Sequence, residues 1–228
     1  MGILARIIQK KAGQAAAFFQ KKGQRIDLDW PLNIRLGSTV RIDPSLFILA
    51  GDDLKLAAPP GDCVVAAAGT FILGQMKHYR FYLKDTAEDE WFLQLTLDSL
   101  GAASGTMLYQ TLDEVFPETD EDWDLWLNEE TGLIGFKDFQ TPDGIAYQRV
   151  WKQGGPDYTA PWSYDETITD DPFAAPVLET NHCAMLYGRT LGQDVVENLM
   201  VDKIEDDEGA CIQISAGIEI PAVSLNIL

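Results

Sequence analysis

Cysteine and histidine are scarce in this 228-residue sequence, which contains three of the first and two of the second. Cys63, Cys183 and Cys211 form no CxxC pair, and a few scattered cysteines are typical of a reducing compartment rather than of a disulfide-linked secreted domain. We expect all three to be small apolar fillers of strands, because unpaired cysteine is among the most buried residue types. His182 and Cys183 would point to opposite faces of a strand, so a shared zinc site is not expected.

The common catalytic and cofactor motifs are also missing from the sequence. There is no G-x-S-x-G nucleophile turn, and neither G-x-x-x-x-G-K-[ST] nor G-x-G-x-x-G occurs. With two histidines, a catalytic triad would depend on His78 or His182. Acidic pairs of the glycosidase type are uninformative, because 36 acidic residues always offer some pair at a suitable separation. We therefore predict no catalytic residue, no metal and no cofactor.

Long hydrophobic runs are absent as well. The longest mostly apolar run, residues 63–74, is shorter than the roughly 20 residues of a membrane-spanning helix and is better interpreted as a buried strand. Arg6, Lys10 and Lys11 interrupt the apolar N-terminal positions, which is not the pattern of a signal peptide. The sequence thus favours a cytoplasmic protein.

Positive charge is the last thing in short supply. The chain has 17 Lys and Arg against 36 Asp and Glu, a formal net charge of −19. A chain this acidic repels a phosphate backbone, so we expect no nucleic-acid partner. Residues 1–25 are the exception, because they contain six basic residues and no acidic one. Such asymmetry is typical of an arm that binds a partner or a surface.

Residues 3–20 have the periodicity of an amphipathic helix within this basic arm. The predicted apolar face comprises Ile3, Leu4, Ile7, Ile8, Ala15, Phe18 and Phe19, and Arg6, Gln9, Lys10, Gly13 and Gln20 lie opposite. Two interpretations stay open. The helix packs on its own domain, or it leaves the domain and binds anionic lipid or a membrane-associated partner. The candidate residues for partner or membrane binding are Arg6, Lys10, Lys11, Phe18, Phe19, Lys21 and Lys22.

From Asp27 onward, short runs rich in Val, Ile, Phe, Tyr and Trp alternate with Gly, Pro and Asp clusters, as is typical of antiparallel β domains. We predict a mainly β (α+β) fold: a hairpin-rich body with an N-terminal amphipathic helix and one short internal helix. Strands are predicted near residues 38–43, 46–50, 63–73, 76–84, 90–97, 106–110, 133–139, 145–151, 183–189, 195–204 and 210–218. Three hairpins are predicted, joining 76–84 to 90–97, 136–139 to 145–151, and 195–204 to 210–218.

The internal helix is predicted from Thr119, which approximates a capping box with Asp122, and ends before Gly132. Its apolar face comprises Trp123, Trp126 and Leu127.

An acidic patch, Asp120, Asp122 and Asp124, begins this helix with the D-x-D-x-D pattern of a calcium loop. An EF-hand is not expected, because Leu125 and Thr131 stand where Gly and Glu are required. A calcium or magnesium site of another kind stays open beside the simpler interpretation, a solvated helix start that suits the helix dipole.

The predicted organisation is a basic helical arm, residues 1–25, followed by a β-rich domain, residues 26–228. Residues 154–176 combine four prolines with Tyr158, Trp162, Tyr164 and Phe173. A connection this long is either a domain boundary or an ordered loop packed on the body.

Four segments carry a family resemblance: MKHYRFYLKDTAEDEWFLQL at 76–95, the pieces WDLW and GIAYQRVW within 114–151, AMLYGR at 184–189 and GACIQISAGIEI at 209–220. They resemble the YjfK-like family of bacterial proteins, a domain of unknown function for which no catalytic or ligand residues are described. The resemblance covers about residues 27–228. It implies a genomic context beside a phage-shock-protein-A-like membrane-remodelling protein, small membrane proteins and an ATP-grasp ligase that resembles glutathionylspermidine synthase.

We therefore expect a non-enzymatic cytoplasmic accessory or adaptor protein that binds a protein partner, with peripheral contact to an anionic membrane at its inner face. The resemblance implies a role in membrane maintenance or envelope stress. Two alternatives stay open: a carboxylate-using enzyme, hydrolytic or associated with a ligase, and a binding module for a cationic small molecule such as a polyamine. The sequence specifies no oligomeric state.

Overall fold

The computed structural model describes residues 2–13, 24–85, 90–192 and 195–228. Within these residues the chain forms twelve β-strands and three α-helices, so the prediction of a mainly β fold with an N-terminal and a short internal helix is confirmed. In chain order the elements are α1 (Ile3–Gly13), β1 (Thr39–Ile42), α2 (Ser45–Ala50), β2 (Asp62–Leu73), β3 (Met76–Lys84), β4 (Glu90–Leu97), β5 (Ala103–Val115), α3 (Asp120–Leu127), β6 (Asp138–Gln140), β7 (Ala146–Arg149), β8 (Trp162–Thr169), β9 (Leu178–Thr190), β10 (Val196–Asp206), β11 (Gly209–Glu219) and β12 (Leu225–Ile227).

Eight strands close into a barrel in which all neighbours are antiparallel. β2 to β5 form one meander and β8 to β11 form a second. The meanders join where β5 pairs with β11 and where β8 pairs with β2. Closure gives each barrel strand two hydrogen-bonded neighbours and leaves no free edge in the ring.

The other four strands extend two barrel strands beyond the ring. β1 pairs with the beginning of β2, and β12 pairs with β1. β7 pairs with the later part of β9, and β6 pairs with β7. β2 and β9 therefore change partner along their length: one part of each belongs to the barrel wall, and the other part supports an outer sheet.

The protein has two main apolar cores because side chains alternate between the two faces of each barrel strand. The interior core draws residues from all eight barrel strands: Ala67, Tyr82, Phe92, Tyr109, Ile168, Leu178, Leu186, Met200, Ile204 and Cys211. The outer core lies on the opposite face of the strands and includes Phe81, Leu93, Leu108 and Ile214. Residues from 30–56 and 123–151 cover this outer core, with Trp126 and Tyr147 among them.

The three predicted hairpins are confirmed as β3–β4, β6–β7 and β10–β11. The strand prediction for residues 46–50 is wrong, because this segment is α2, which follows Pro44 and ends at Gly51 with φ +79°. The strand prediction for residues 133–139 is too long, since β6 begins only at Asp138.

Two further segments differ from their predicted form. Residues 154–176 contain β8, the strand that closes the barrel. The predicted helix over residues 3–20 is seen as α1, and residues 14–20 lie outside the described part of the chain. None of the helices in the described residues is long and apolar enough to cross a membrane.

Candidate functional site

α1 closes one mouth of the barrel. Ile3, Leu4 and Ile7 are buried and belong to the interior core. The polar contacts of α1 lie at the same end of the barrel, at the β3–β4 and β10–β11 hairpins. The carboxylate of Glu90, the first residue of β4, accepts a hydrogen bond from the backbone of Ala5. Such a carboxylate satisfies a free amide in the first turn of a helix and suits its dipole.

Arg6 on α1 is buried although its side chain is charged. Its Nη1 lies 2.8 Å from Oδ2 of Asp206, and its Nη2 donates to Sγ of Cys211 at 3.1 Å. The sequence pattern places Arg6 opposite the apolar face, but the side chain of Arg6 is 9% exposed and Ile8 is 64% exposed. The buried face of α1 is therefore rotated toward Arg6, since Asp206 gives its guanidinium a partner below the surface.

The other predicted residues of the basic arm are partly accounted for. Lys10 Nζ lies 2.9 Å from the exposed Asp207. The side chain of Lys11 and the residues Phe18, Phe19, Lys21 and Lys22 lie outside the described residues. In the docked position α1 thus contributes Ile3, Leu4 and Ile7 to the barrel interior and Arg6 and Lys10 to the β10–β11 hairpin.

A buried charged cluster occupies the barrel interior beyond the apolar layer under α1. It consists of Arg80 on β3, Glu166 on β8, His182 on β9 and Asp202 on β10, each at most 3% exposed. Arg80 Nη1 lies 2.7 Å from Glu166 Oε2. His182 bridges the two carboxylates, with Nε2 at 3.2 Å from Glu166 and Nδ1 at 2.7 Å from Asp202.

Neutral polar groups add hydrogen bonds to this cluster. Tyr82 donates to Glu166 Oε1 at 2.9 Å, and Tyr164 accepts from Arg80 Nη2 at 3.0 Å. Further contacts are Arg80 Nη2 to Gln94 Oε1 at 3.1 Å, His182 Nε2 to Thr180 Oγ1 at 2.9 Å and Tyr164 Oη to Asp202 Oδ2 at 3.4 Å. The charge-assisted hydrogen bonds between these ions offset part of the cost of burying them, although Arg80 Nε and Asp202 Oδ1 make no hydrogen bond.

The pKa shifts of Glu166 and His182 both favour the charged form of the side chain. Burial by itself raises the pKa of Glu166, but Arg80 and His182 outweigh it and hold this pKa below its ordinary value. Burial lowers the pKa of His182, and Asp202 and Glu166 outweigh it, so that this pKa is raised. With His182 protonated, two cations face two anions and the interior is electrically balanced.

An aromatic stack lies beside the cluster, away from α1. Phe71 stacks on His78 with ring centres 4.9 Å apart and on Tyr164 at 4.5 Å, and Tyr164 stacks on His182 at 4.6 Å. Burial, with a smaller effect of Arg80, lowers the pKa of His78 to about 4. His78 is therefore neutral at neutral pH.

The cluster's chemistry is structural in this conformation, because a solute cannot touch groups that are at most 3% exposed. Metal binding has no better candidate: no three His, Cys, Asp or Glu side chains in the described ranges are placed to hold an ion. The three cysteines are free, with Cys63 and Cys211 buried and Cys183 half-buried. Burial raises the pKa of each of these thiols.

A second candidate surface is the acidic segment, which we define as residues 112–133. It contains nine acidic residues and no Lys or Arg. Thr119 and Asp122 form the predicted capping box of α3, with Thr119 Oγ1 accepting from the Asp122 amide at 3.2 Å and the Asp122 carboxylate accepting from the Thr119 amide at 3.0 Å. Trp126 is buried and anchors α3 to the outer core.

Exposed apolar side chains accompany the acids of this segment. Leu125 is 55% exposed and Phe116 is 52% exposed, and Leu112 and Leu133 are each more than a third exposed. Leu125 and Leu133 are neighbours, because the Leu133 amide donates to the Leu125 carbonyl at 2.9 Å. Asp120, Asp122 and Asp124 are all exposed, as expected for a solvated helix start.

Sequence reasoning identified the acidic patch but missed the interior cluster. Arg80, Glu166 and Asp202 carry no motif, and the sequence links His182 to none of them. One signal was present: residues 162–169 read W-S-Y-D-E-T-I-T, in which Tyr164, Glu166 and Ile168 alternate with polar residues as in a strand.

Nearly the whole chain matches one protein family. A family model described as "Protein of unknown function (DUF2491)" matches residues 9–226. The chain belongs to this family. No curated protein and no solved structure matches it. The DUF2491 match includes all eight barrel strands and α3, whereas Ile3, Leu4 and Ile7, which close the barrel mouth, precede the matched range.

Proposed function

We propose that this protein is a non-enzymatic accessory or adaptor protein that binds a basic partner protein through the acidic segment. One observation carries the proposal: Leu125 and Phe116 stand half-exposed on a segment that has nine acids and no base. Exposed apolar side chains rimmed by charge are typical of interaction surfaces. The partner surface that fits is a basic one with apolar side chains of its own, such as an amphipathic helix.

The buried side of the acidic segment is held firmly against the rest of the protein. Trp126 fixes α3 to the outer core, and the capping box fixes its first turn. Lys203 on β10 lies over the ring of Trp123, with Nζ 5.8 Å from the ring centre. A rigid helix loses little conformational freedom on binding, so that its charges can steer a partner and its apolar residues can supply affinity.

The two alternative functions have less support. An enzyme would need charged groups that reach a substrate, but Arg80, Glu166, His182 and Asp202 bind one another inside the barrel. A polyamine-binding module would use the acids of the segment and would leave the exposed Leu125 and Phe116 without a role.

The cellular context of the proposal comes from the resemblance to YjfK-like proteins. Their association with membrane-remodelling proteins supports a cytoplasmic role in membrane maintenance or envelope stress, at the inner face of the membrane. The basic arm would supply the peripheral contact with anionic lipid. In the docked position Ile3, Leu4 and Ile7 of α1 are buried in the barrel, so contact between these side chains and lipid requires α1 to leave the barrel.

Purification of the tagged full-length chain from its native cell tests the partner. The variant Asp120→Asn, Glu121→Gln, Asp124→Asn, Leu125→Ser removes charge and apolar surface from α3 and spares the cap residue Asp122. The matched control changes exposed residues elsewhere: Asp52→Asn, Glu179→Gln, Glu208→Gln, Val223→Ser.

We expect one protein to be recovered with the wild type and the control but lost with the α3 variant. The recovered protein, once purified, should bind the wild-type chain directly, with a dissociation constant that rises with salt because the interface is charged. Equal binding of that protein to the α3 variant would refute the proposed docking surface.

A further inference from the structure

We propose that α1 is an exchangeable plug, which leaves the barrel mouth to bind an anionic lipid surface and in doing so uncovers Cys211. This inference rests on the membrane half of the proposed function and is independent of partner binding by the acidic segment. The barrel mouth and the lipid surface compete for the same apolar side chains of α1.

α1 is attached to the barrel by side chains. Ile3, Leu4 and Ile7 pack into the interior core, Arg6 pairs with Asp206 and Lys10 pairs with Asp207. Each barrel strand, by contrast, is hydrogen-bonded to two neighbours. α1 can therefore depart as a unit without breaking any of the strand ladders that close the ring.

The chemistry of α1 suits a lipid surface as well as it suits the barrel. Residues 2–13 contain three basic residues and no acidic one. An amphipathic helix of this kind lies in the headgroup region with its apolar side buried, and each cation near an anionic surface contributes on the order of 1 kcal/mol. Docking places Arg6 and Lys10 against Asp206 and Asp207, so the β10–β11 hairpin acts as the local anionic surface.

Ile8 distinguishes the two sites. It is 64% exposed when α1 is docked, although it adjoins Ile7, which is 4% exposed. The barrel mouth therefore leaves one isoleucine of α1 in water, and a lipid surface would bury it together with Ile3, Leu4 and Ile7. Because the last three residues cannot be in both places, docking and lipid binding exclude each other.

Cys211 reports the position of α1. Its thiol is 1% exposed and lies under the guanidinium of Arg6 at 3.1 Å. Departure of α1 removes this cover. Cys63 is 0% exposed and belongs to the outer core, which contains no residue of α1, so departure of α1 leaves it covered.

The test uses the full-length wild-type chain and iodoacetamide, with labelled sites located by peptide mass mapping. We expect Cys211 to be alkylated faster than Cys63 under native conditions. Vesicles of phosphatidylglycerol and phosphatidylcholine should increase the Cys211 rate about tenfold or more and leave the Cys63 rate unchanged, whereas pure phosphatidylcholine should have no effect. Equal rates at the two cysteines, or no response to anionic vesicles, would overturn the proposal.

Ile8→Ser separates the two sites, because Ile8 is exposed in the docked state. This variant should lower co-sedimentation with anionic vesicles about tenfold while leaving the lipid-free alkylation rate of Cys211 unchanged. Val223→Ser, at a residue that is 94% exposed in the C-terminal part of the chain, is the control and should bind vesicles as the wild type does. Wild-type vesicle binding by Ile8→Ser contradicts the exchange.

Asp206→Asn weakens the docked state and should raise Cys211 alkylation without lipid. If this variant fails to fold, Ile8→Ser still decides the question. The α3 variant described above should keep the vesicle response, so that loss of partner binding and loss of lipid exchange are scored separately.

Discussion

The Nδ1 of His182 lies 2.7 Å from the Oδ2 of Asp202 inside a barrel where neither side chain is more than 4% exposed. Nε2 of the same ring faces Glu166 at 3.2 Å. A neutral imidazole here would leave two carboxylates opposite the single charge of Arg80. The contacts therefore favour the imidazolium, and they raise the pKa of His182 against the opposing effect of its burial.

The stability of the protein should fall as His182 loses its proton. The folded-state pKa is raised above the unfolded value of about 6.5, so the contribution of His182 is fully present below pH 6.5 and is lost as pH rises through the folded pKa. Urea unfolding of the wild type and of His182→Gln should show a difference in unfolding free energy that is largest near pH 6 and shrinks toward high pH. A difference that grows with pH would contradict a charged His182.

Arg80 and Glu166 should be strongly coupled in a double-mutant cycle. Arg80→Met leaves the buried carboxylates with His182 alone, and we expect a loss of about 3 to 5 kcal/mol in unfolding free energy. Adding Glu166→Gln restores the balance between His182 and Asp202, so the double variant should be more stable than the sum of the single losses implies. Urea unfolding of the four proteins checks this, and additive losses would contradict it.

Gly69 on β2 should not tolerate a side chain, because a Cβ at this position would overlap the carboxylate of Glu166. Gly69→Ala must displace that carboxylate from Arg80, and we expect it to cost about 3 kcal/mol of unfolding free energy. Gly105→Ala on β5 is the matched control. The nearest atom to a Cβ at this position would be the Cβ of Thr96, at 4.0 Å, so the added methyl group fits without a clash. The two glycines should differ clearly in thermal unfolding, and equal midpoints would contradict the close approach.

Local patterns in the sequence predicted the hairpins, because a strand, a turn and the next strand are adjacent in the chain. β3 and β4 alternate apolar and polar residues, and they pair as predicted. The capping box of Thr119 with Asp122 is equally local. These features depend on residues a few positions apart, which is the range over which periodicity and capping act.

Barrel closure and the interior cluster depend on contacts between residues that are far apart in the chain. Local sequence patterns do not predict such contacts. Arg80 and Glu166 are 86 residues apart, and Arg6 is 205 residues from Cys211. The prolines on either side of β8 made residues 154–176 look like a loop, so the strand that carries Glu166 was not predicted. Arg80 lies on a predicted strand, but nothing in the sequence indicates that its side chain faces the barrel interior. The buried position of Arg6 follows from Asp206, so helical periodicity alone placed it on the wrong face of α1.

The cap of α3 should hold the acidic segment in its binding conformation. Thr119→Ala removes the acceptor for the Asp122 amide, and we expect a loss of about 1 kcal/mol in unfolding free energy. Thr131→Ala, at the exposed end of the same segment, is the control and should change little. Hydrogen exchange should show faster exchange of the first amides of α3 in Thr119→Ala alone.

The same cap has a pH dependence of the opposite sign to that of His182. Hydrogen bonds from Thr119 hold the pKa of Asp122 below its ordinary value. Its contribution is therefore present at neutral pH and is lost as pH falls through the folded pKa, below the unfolded value. The protection of the first amides of α3 in the wild type should thus decline on acidification, whereas the contribution of His182 declines on alkalinisation. If protection at α3 were unchanged down to pH 3, the Asp122 carboxylate would not be the group that closes the cap.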